Sequence, residues 1–276
     1  MTTRITARFN KLRDSGEMGL IPYLTAGDPS LAATESFVLA LAGAGADVIE
    51  LGVPFSDPVA DGPTIQRAIE RSLAAGTTLR GVLDLVRSLR KKTEVPLMLF
   101  SYYNPVLQMG LERFAAEAAA AGADGALITD LTPEEAGDYR AAMCKHDLDT
   151  IFLAAPTSTD ERLARIAEVS SGFLYVISRT GVTGAKDTFP DELPALIRRT
   201  RRATRLPIAV GFGVSLPVHI SLLGGLADAA VVGSALVEEI ERAGGSVDAA
   251  SQALAARVRL LKQAAVQGLS QRGTQA

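Results

Sequence analysis

Cysteine and histidine are almost missing from this chain. Cys144 is the one cysteine among 276 residues, which excludes an internal disulfide and a cysteine-rich metal site. The two histidines, His146 and His219, fall in separate predicted helices and have no partner ligand nearby in the sequence. We expect all three residues to be structural or exposed, and the sequence suggests no metal site.

An excess of one charge and a long apolar run are also lacking. The net charge is −3 and the pI about 5.6, so no basic face for nucleic acid or anionic lipid is implied. No apolar run approaches the ~20 residues that span a bilayer. Residues 1–17 alternate charged and apolar positions without the apolar centre of a signal peptide. Together with the single cysteine, these absences predict a soluble, cytoplasmic protein.

What the chain does contain is a regular alternation of short apolar segments and helical patterns. Hydrophobic residues make up 47% of the chain and charged residues 21%, as in a packed domain. Eight apolar segments recur at spacings of roughly 25 to 35 residues, as repeated βα units require. Most are apolar throughout, as parallel strands buried on both faces should be. They are residues 19–23, 47–51, 96–100, 125–129, 150–154, 173–177, 207–210 and 229–232.

This pattern predicts one α/β domain over residues 1–276, a (β/α)8 TIM barrel with an extra N-terminal helix and an additional C-terminal helix. An open doubly wound sheet would usually carry a Gly-x-Gly-x-x-Gly turn after its first strand. That turn reads Thr25-Ala-Gly-Asp-Pro29 here, which argues against a dinucleotide site. No linker divides the chain, and we expect the polar end, residues 268–276, to be frayed.

One stretch, from Glu50 to Gln66, combines carboxylates with a stiff loop. Glu50 stands near the C-terminal end of the second strand, and Asp57 and Asp61 follow in a loop that contains three prolines. Because proline fixes φ and removes an N–H group, this loop is held in shape before any ligand binds. Acidic side chains on a stiff loop beside a buried strand end indicate acid–base chemistry.

Each of the two best-placed acids also has a structural interpretation. Glu50 and Asp61 could face one cavity, where different surroundings would separate their pKa values so that one donates and the other accepts. Glu50 could instead be a structural carboxylate that backbone donors satisfy. Asp61 could instead be the N-cap of a helix that begins near Pro63. The residues by themselves leave these alternatives open.

Glycine-rich loops follow the last three strands, where TIM barrels commonly bind phosphate. Gly211-Phe-Gly213 and Gly233-Ser234 follow strands seven and eight, and Thr180–Gly184 follows strand six. Their backbone N–H groups, with a helix N-terminus after Ser234, could hold a phosphomonoester. The alternative is that these glycines only form tight turns. Neither of the last two loops contains Lys or Arg, so binding would depend on backbone groups and the helix dipole.

At this point several motifs resemble one known family, that of the tryptophan synthase α subunit. The stretch Glu50–Gln66 resembles that family's signature, and four further segments follow the family's order. They are Pro22–Pro29, Ser178–Gly184, Gly211–Ser215 and Val232–Ser234. One departure is Leu131-Thr-Pro133, where Leu-Pro-Pro would be expected. The resemblance covers nearly the whole chain.

The resemblance implies a carbon–carbon lyase of L-tryptophan biosynthesis that cleaves indole-3-glycerol phosphate to indole and glyceraldehyde 3-phosphate. Glu50 would carry the proton transfers, and Asp61 would stabilise the indole N1–H. Thr183 would bond Asp61 when its loop closes. The indole pocket is assigned to Tyr23, Tyr102 and Tyr175, although tyrosines near strand ends could simply fill the barrel top. The phosphate is assigned to Gly184, Gly213, Gly233 and Ser234.

The same resemblance implies no cofactor in this chain and a β-subunit partner that carries pyridoxal phosphate, in an α2β2 heterotetramer. Residues 54–60 and Asn104-Pro105 would form the contact surface. A stand-alone lyase that releases free indole stays open as an alternative, because its motifs would be nearly identical. A sugar-phosphate isomerase would need a reactive group on the first strand, which Gly19–Tyr23 lacks. Retention of Glu50 and Asp61 argues against a non-catalytic barrel.

Overall fold

The strands of this protein close into a single parallel barrel. The computed structural model describes residues 3–178 and 188–270, with the side chains of 267–270 left out. The sheet order is β5-β4-β3-β2-β1-β9-β8-β7-β6, and every pair is parallel. The strands are β1 (Gly19–Thr25), β2 (Ile49–Gly52), β3 (Leu97–Ser101), β4 (Gly125–Ile128), β5 (Asp149–Ile151), β6 (Leu153–Ala154), β7 (Leu174–Ile177), β8 (Ile208–Gly211) and β9 (Ala229–Val232).

The two outermost segments of that order belong to one strand. β5 and β6 are separated by Phe152 alone, whose carbonyl accepts a hydrogen bond from Tyr175 N of β7 at 3.2 Å. The predicted fifth strand, 150–154, is therefore one strand with a break, and the sheet closes into eight strands around a circle. The predicted (β/α)8 TIM barrel is confirmed.

Twelve helices surround the barrel in the described ranges, and the first and last are the predicted additions. They are α1 (Arg4–Ser15), α2 (Leu31–Gly43), α3 (Pro63–Ala74), α4 (Leu79–Arg90), α5 (Tyr103–Met109), α6 (Leu111–Ala121), α7 (Gly137–Lys145), α8 (Asp160–Val169), α9 (Leu193–Ala203), α10 (Pro217–Leu223), α11 (Ser234–Arg242) and α12 (Val247–Ser270). None of the helices within 3–178 and 188–270 has the length and apolar composition needed to cross a bilayer.

Alternate residues of most strands enter two different apolar clusters, which explains why these strands are apolar throughout. Leu20 and Leu24 of β1 point outward and pack in the layer between sheet and helices. Ile21 and Tyr23 of the same strand point into the barrel. With both faces buried, no position on the strand is left for a solvated side chain.

Helix α1 closes the N-terminal end of the barrel. Its buried residues Ile5, Phe9 and Leu12 belong to the cluster inside the barrel. The ring of Phe9 lies 5.6 Å from that of Phe173, measured between centroids. Thr3 caps the helix by accepting a hydrogen bond from Thr6 N at 3.1 Å. An open site is therefore expected at the opposite end of the barrel, at the C-terminal ends of the strands.

Candidate functional site

A cavity of about 320 Å³ opens at the C-terminal ends of the strands. Its wall combines acidic, aromatic and glycine-rich parts of the chain. Among the lining residues are Tyr23, Glu50, Asp61, Phe100, Tyr175, Phe212, Gly213, Gly233 and Ser234. The barrel thus brings together residues that are as much as 234 positions apart in sequence (257 − 23). This is the end of the barrel at which TIM-barrel enzymes place their active sites.

Glu50 lies on β2 with its side chain directed into the barrel, beside Tyr23 in the strand register. The residue is 1% exposed, and its buried Oε1 atom has no hydrogen-bond partner. Because burial disfavours the charged form, the pKa of Glu50 is raised to about 8. At neutral pH this carboxyl group therefore holds its proton. The interpretation of Glu50 as a carboxylate satisfied by backbone donors does not fit the unpartnered oxygen.

Asp61 approaches the same cavity from the loop that follows β2. Its Oδ2 atom accepts a hydrogen bond from the Tyr102 hydroxyl at 2.7 Å. Burial raises the pKa of Asp61 to about 6, against the opposing effect of that hydrogen bond. Helix α3 begins at Pro63 and has Gly62 as its N-cap, so the interpretation of Asp61 as the N-cap was wrong. Gln66 holds the loop by donating to Asp61 O at 2.8 Å.

The three tyrosines assigned to the indole pocket occupy two kinds of position. Tyr23 and Tyr175 line the cavity, and burial raises the pKa of both phenols. Tyr102 is not among the described lining residues. It lies behind Asp61, where its hydroxyl donates to that carboxylate and accepts from Ala60 N at 2.9 Å. Tyr102 therefore links the carboxylate to its own loop.

Two glycines leave room for the tyrosine rings that face the cavity. A Cβ atom at Gly52 would lie 2.1 Å from the Tyr23 hydroxyl, and one at Gly211 would lie 2.1 Å from the Tyr175 hydroxyl. Any larger residue at either position would displace a phenol from the barrel interior. The close approach of ring to backbone requires glycine on the neighbouring strand.

Two phenylalanines complete the aromatic wall and were not predicted. Phe100 meets Tyr23 edge-on with ring centroids 5.4 Å apart, and Phe212 meets Tyr175 in the same way at 5.9 Å. Phe212 has a φ of 65°, a strained value for a residue with a side chain. Its carbonyl accepts a hydrogen bond from the Ser178 hydroxyl. The sequence signal for Phe212 was its place between two glycines at a strand end.

The glycine-rich loops form the other end of the cavity. Gly213, Gly233 and Ser234 all line it, and α11 begins at Ser234 with no side chain capping its N-terminus. Unpaired N–H groups at a helix start, together with the helix dipole, favour an anion there. Thr183 and Gly184 lie outside the described residues. No group of three or more potential metal ligands occurs among the residues that are described.

The similarity to known proteins agrees with this geometry. A family model described as "Tryptophan synthase alpha chain" matches residues 9–266. This chain belongs to the tryptophan synthase alpha chain family. The resemblance identified from the motifs is thereby confirmed, and the match begins within α1 and ends within α12.

Individual members of the tryptophan synthase alpha chain family match over most of their length. The chain is 56% identical to the Solibacter usitatus alpha chain over 240 residues, which cover 87% of this chain and 90% of the relative. For the Geobacter sulfurreducens alpha chain the identity is 50%, with 87% and 91% covered. The crystal structure of the Legionella pneumophila alpha subunit superposes with a TM-score of 0.90 at 39% identity, covering 97% of this chain and all of that one.

Proposed function

We propose that this alpha chain cleaves indole-3-glycerol phosphate to indole and glyceraldehyde 3-phosphate by a retro-aldol reaction. One observation carries the proposal: two buried carboxyl groups, with pKa values raised to about 8 and about 6, face one apolar cavity that ends in backbone anion donors. The family is one of lyases in tryptophan biosynthesis, so the reaction class follows from membership. The roles of single residues are our inference.

The lining of the cavity supports a proposed position for each end of the substrate. The indole ring is expected against the aromatic wall of Tyr23, Phe100, Tyr175 and Phe212, where flat apolar surface is buried. The phosphate is expected at Gly213, Gly233 and Ser234, with Gly184 joining them from its own loop. This orientation leaves the bond between ring and side chain near the two carboxyl groups.

Glu50 is the proposed acid and base. It donates its proton to C3 of the indole ring, which gives an indolenine cation centred on N1. The same carboxylate then takes the proton of the hydroxyl group next to the ring. The bond between C3 and the side chain breaks, its electron pair returns to the ring, and the hydroxyl carbon becomes the aldehyde. Glu50 ends in its starting protonation state, so the cycle needs no further reactant.

Asp61 is the proposed electrostatic partner of the indole nitrogen. A carboxylate that accepts the N1–H stabilises the cation formed when C3 is protonated. Because its pKa of about 6 lies below that of Glu50, Asp61 is ionised at pH 7 while Glu50 keeps its proton. We propose that Thr183 bonds Asp61 on loop closure, as the family resemblance implies.

The pH dependence of kcat/KM is expected to be bell-shaped, with its maximum between about pH 6 and pH 8. Below about 6, protonation of Asp61 removes the charge that stabilises N1–H, and activity falls. Above about 8, ionisation of Glu50 removes the proton needed at C3, and activity falls again. Initial rates of indole release across pH 5–10 at constant ionic strength measure both limbs. A rate that rises continuously through pH 9 would contradict the role of Glu50 as the acid.

A β subunit is the proposed partner, in an α2β2 heterotetramer, and pyridoxal phosphate is assigned to that subunit rather than to this chain. Val59, in the predicted contact surface of residues 54–60 and Asn104-Pro105, is 81% exposed, and Leu107, two residues beyond Pro105 on α5, is 49% exposed. A solved structure of Mycobacterium tuberculosis tryptophan synthase superposes with a TM-score of 0.87 at 37% identity. The proposal keeps the cytoplasmic location, which the unpaired Cys144 suits. The stand-alone lyase gains no support from these relatives.

The test of the proposal is the rate of indole release from indole-3-glycerol phosphate, measured with this chain alone and with a tryptophan synthase β subunit added. We expect slow release alone and a large acceleration with the partner. Rapid release of indole, at a rate that does not change when the β subunit is added, would identify a stand-alone lyase instead. Absence of cleavage under both conditions would reject the lyase assignment.

A further inference from the structure

A side chain from the last helix reaches the phosphate end of the cavity. Arg257 of α12 lines the cavity together with Gly213 and Ser215. Its Nη2 atom donates a hydrogen bond to Ser215 O at 2.9 Å. This guanidinium therefore connects α12 to the segment that follows β8 and that carries Gly213.

Two polar atoms at this connection have no partner. Arg257 Nε and Ser215 Oγ are both buried, and neither makes a hydrogen bond. Both groups can donate, and buried donors in folded proteins are nearly always paired. An acceptor that enters the cavity would satisfy them, directly or through a bound water molecule. A phosphomonoester, with its several acceptor oxygens, has the required chemistry.

The charged residues that line the cavity also favour a phosphomonoester. Arg257 is the one arginine or lysine among the described lining residues. Glu238 also lines the cavity, but Arg242 lies 3.2 Å from its carboxylate and the Thr64 hydroxyl lies 3.5 Å away. A phosphate dianion at Gly213 and Ser234 thus faces the guanidinium of Arg257. The carboxylate of Glu238, which also lines the cavity, is already paired with Arg242.

We propose that Arg257 positions the phosphate group of the substrate. It fixes the Gly213–Ser215 segment through the Ser215 carbonyl and supplies the positive charge that the two glycine-rich loops lack. The inference rests on the proposed function, because it assigns a residue to that substrate's phosphate. It also predicts that the cavity distinguishes a phosphomonoester from an uncharged analogue by charge as well as by backbone hydrogen bonds.

Binding of the two halves of the substrate tests this role without turnover. We expect Arg257→Gln to weaken binding of sn-glycerol 3-phosphate roughly 10- to 100-fold, the loss typical of a charged hydrogen bond. Binding of indole should be unchanged, and the salt dependence of glycerol phosphate binding should be smaller than in the wild type. For cleavage, KM should rise while kcat changes little. Arg259→Gln, the same change at an exposed position of α12, is the matched control.

Arg257→Lys provides a second variant that keeps the charge and loses the planar fork, and we expect a several-fold weaker affinity for glycerol phosphate. Unchanged glycerol phosphate binding in both variants, or an equal loss of indole binding, would overturn the inference. A wild type that does not bind glycerol phosphate would also overturn it. A wild type that binds glycerol phosphate but does not cleave indole-3-glycerol phosphate would instead refute the proposed function.

Discussion

Replacing Glu50 by glutamine is expected to lower the rate of indole release by roughly 10²- to 10⁴-fold, the usual contribution of a general acid–base group. Glutamine has nearly the same shape but can neither give a proton to C3 nor accept one from the side-chain hydroxyl. Since Glu50 is buried and protonated at neutral pH, the substitution introduces no new charge and should not lower stability. The measurement is the initial rate with the β subunit present, beside a thermal unfolding curve.

The matched control is Glu70→Gln, the same change at an exposed position on α3. It should leave the rate unchanged. Indole binding to Glu50→Gln should also be retained, because the aromatic wall is intact. If Glu50→Gln kept more than a tenth of the wild-type rate, another group would have to protonate C3, and the assignment of Glu50 would fail.

Replacing Asp61 by asparagine is the second change with a large expected effect, roughly 10²- to 10³-fold in kcat. The amide oxygen can still accept the hydrogen bond from Tyr102, so the loop should keep its position. What is lost is the negative charge opposite the indole N1–H, and the cation formed by protonation of C3 is then unstabilised. Single-turnover rates of cleavage separate this effect from substrate binding.

Tyr102→Phe separates the charge of Asp61 from its hydrogen bond. The hydrogen bond from Tyr102 lowers the pKa of Asp61, so its removal should raise that pKa further. The acid limb of the pH profile should therefore move to higher pH, while the rate at pH 8 stays close to that of the wild type. An unmoved acid limb would mean that a group other than Asp61 sets it.

Much of this site could be predicted from the sequence because its parts are local. Glu50 and Asp61 belong to one strand and the loop that follows it, and parallel strands always end on the same side of the barrel. The continuous apolar strands predicted burial on both faces. Gly213 and Gly233 follow the ends of β8 and β9, so the same rule about strand ends predicted that they lie on that side of the barrel.

The features that escaped prediction depend on tertiary packing. Tyr102 turns toward the loop that carries Asp61 rather than into the cavity, and nothing local to β3 determines that direction. Arg257 reaches the site because α12 packs against α2 and α10, which are distant from it in the sequence. Helix α7 begins at Gly137, after a turn in which Glu135 N donates a hydrogen bond to Thr132 O. The single domain over 1–276 and the frayed end at 268–276 stay predictions, although α12 is helical as far as Ser270.

Because α1 closes the N-terminal end of the barrel, it limits the routes by which molecules can leave the cavity. Since Ile5, Phe9 and Leu12 fill the N-terminal end, a molecule of indole cannot leave along the barrel axis in that direction. It must depart through the same mouth by which the phosphate ester enters. A molecule bound in this mouth would therefore block the entry of substrate and the exit of product at the same time.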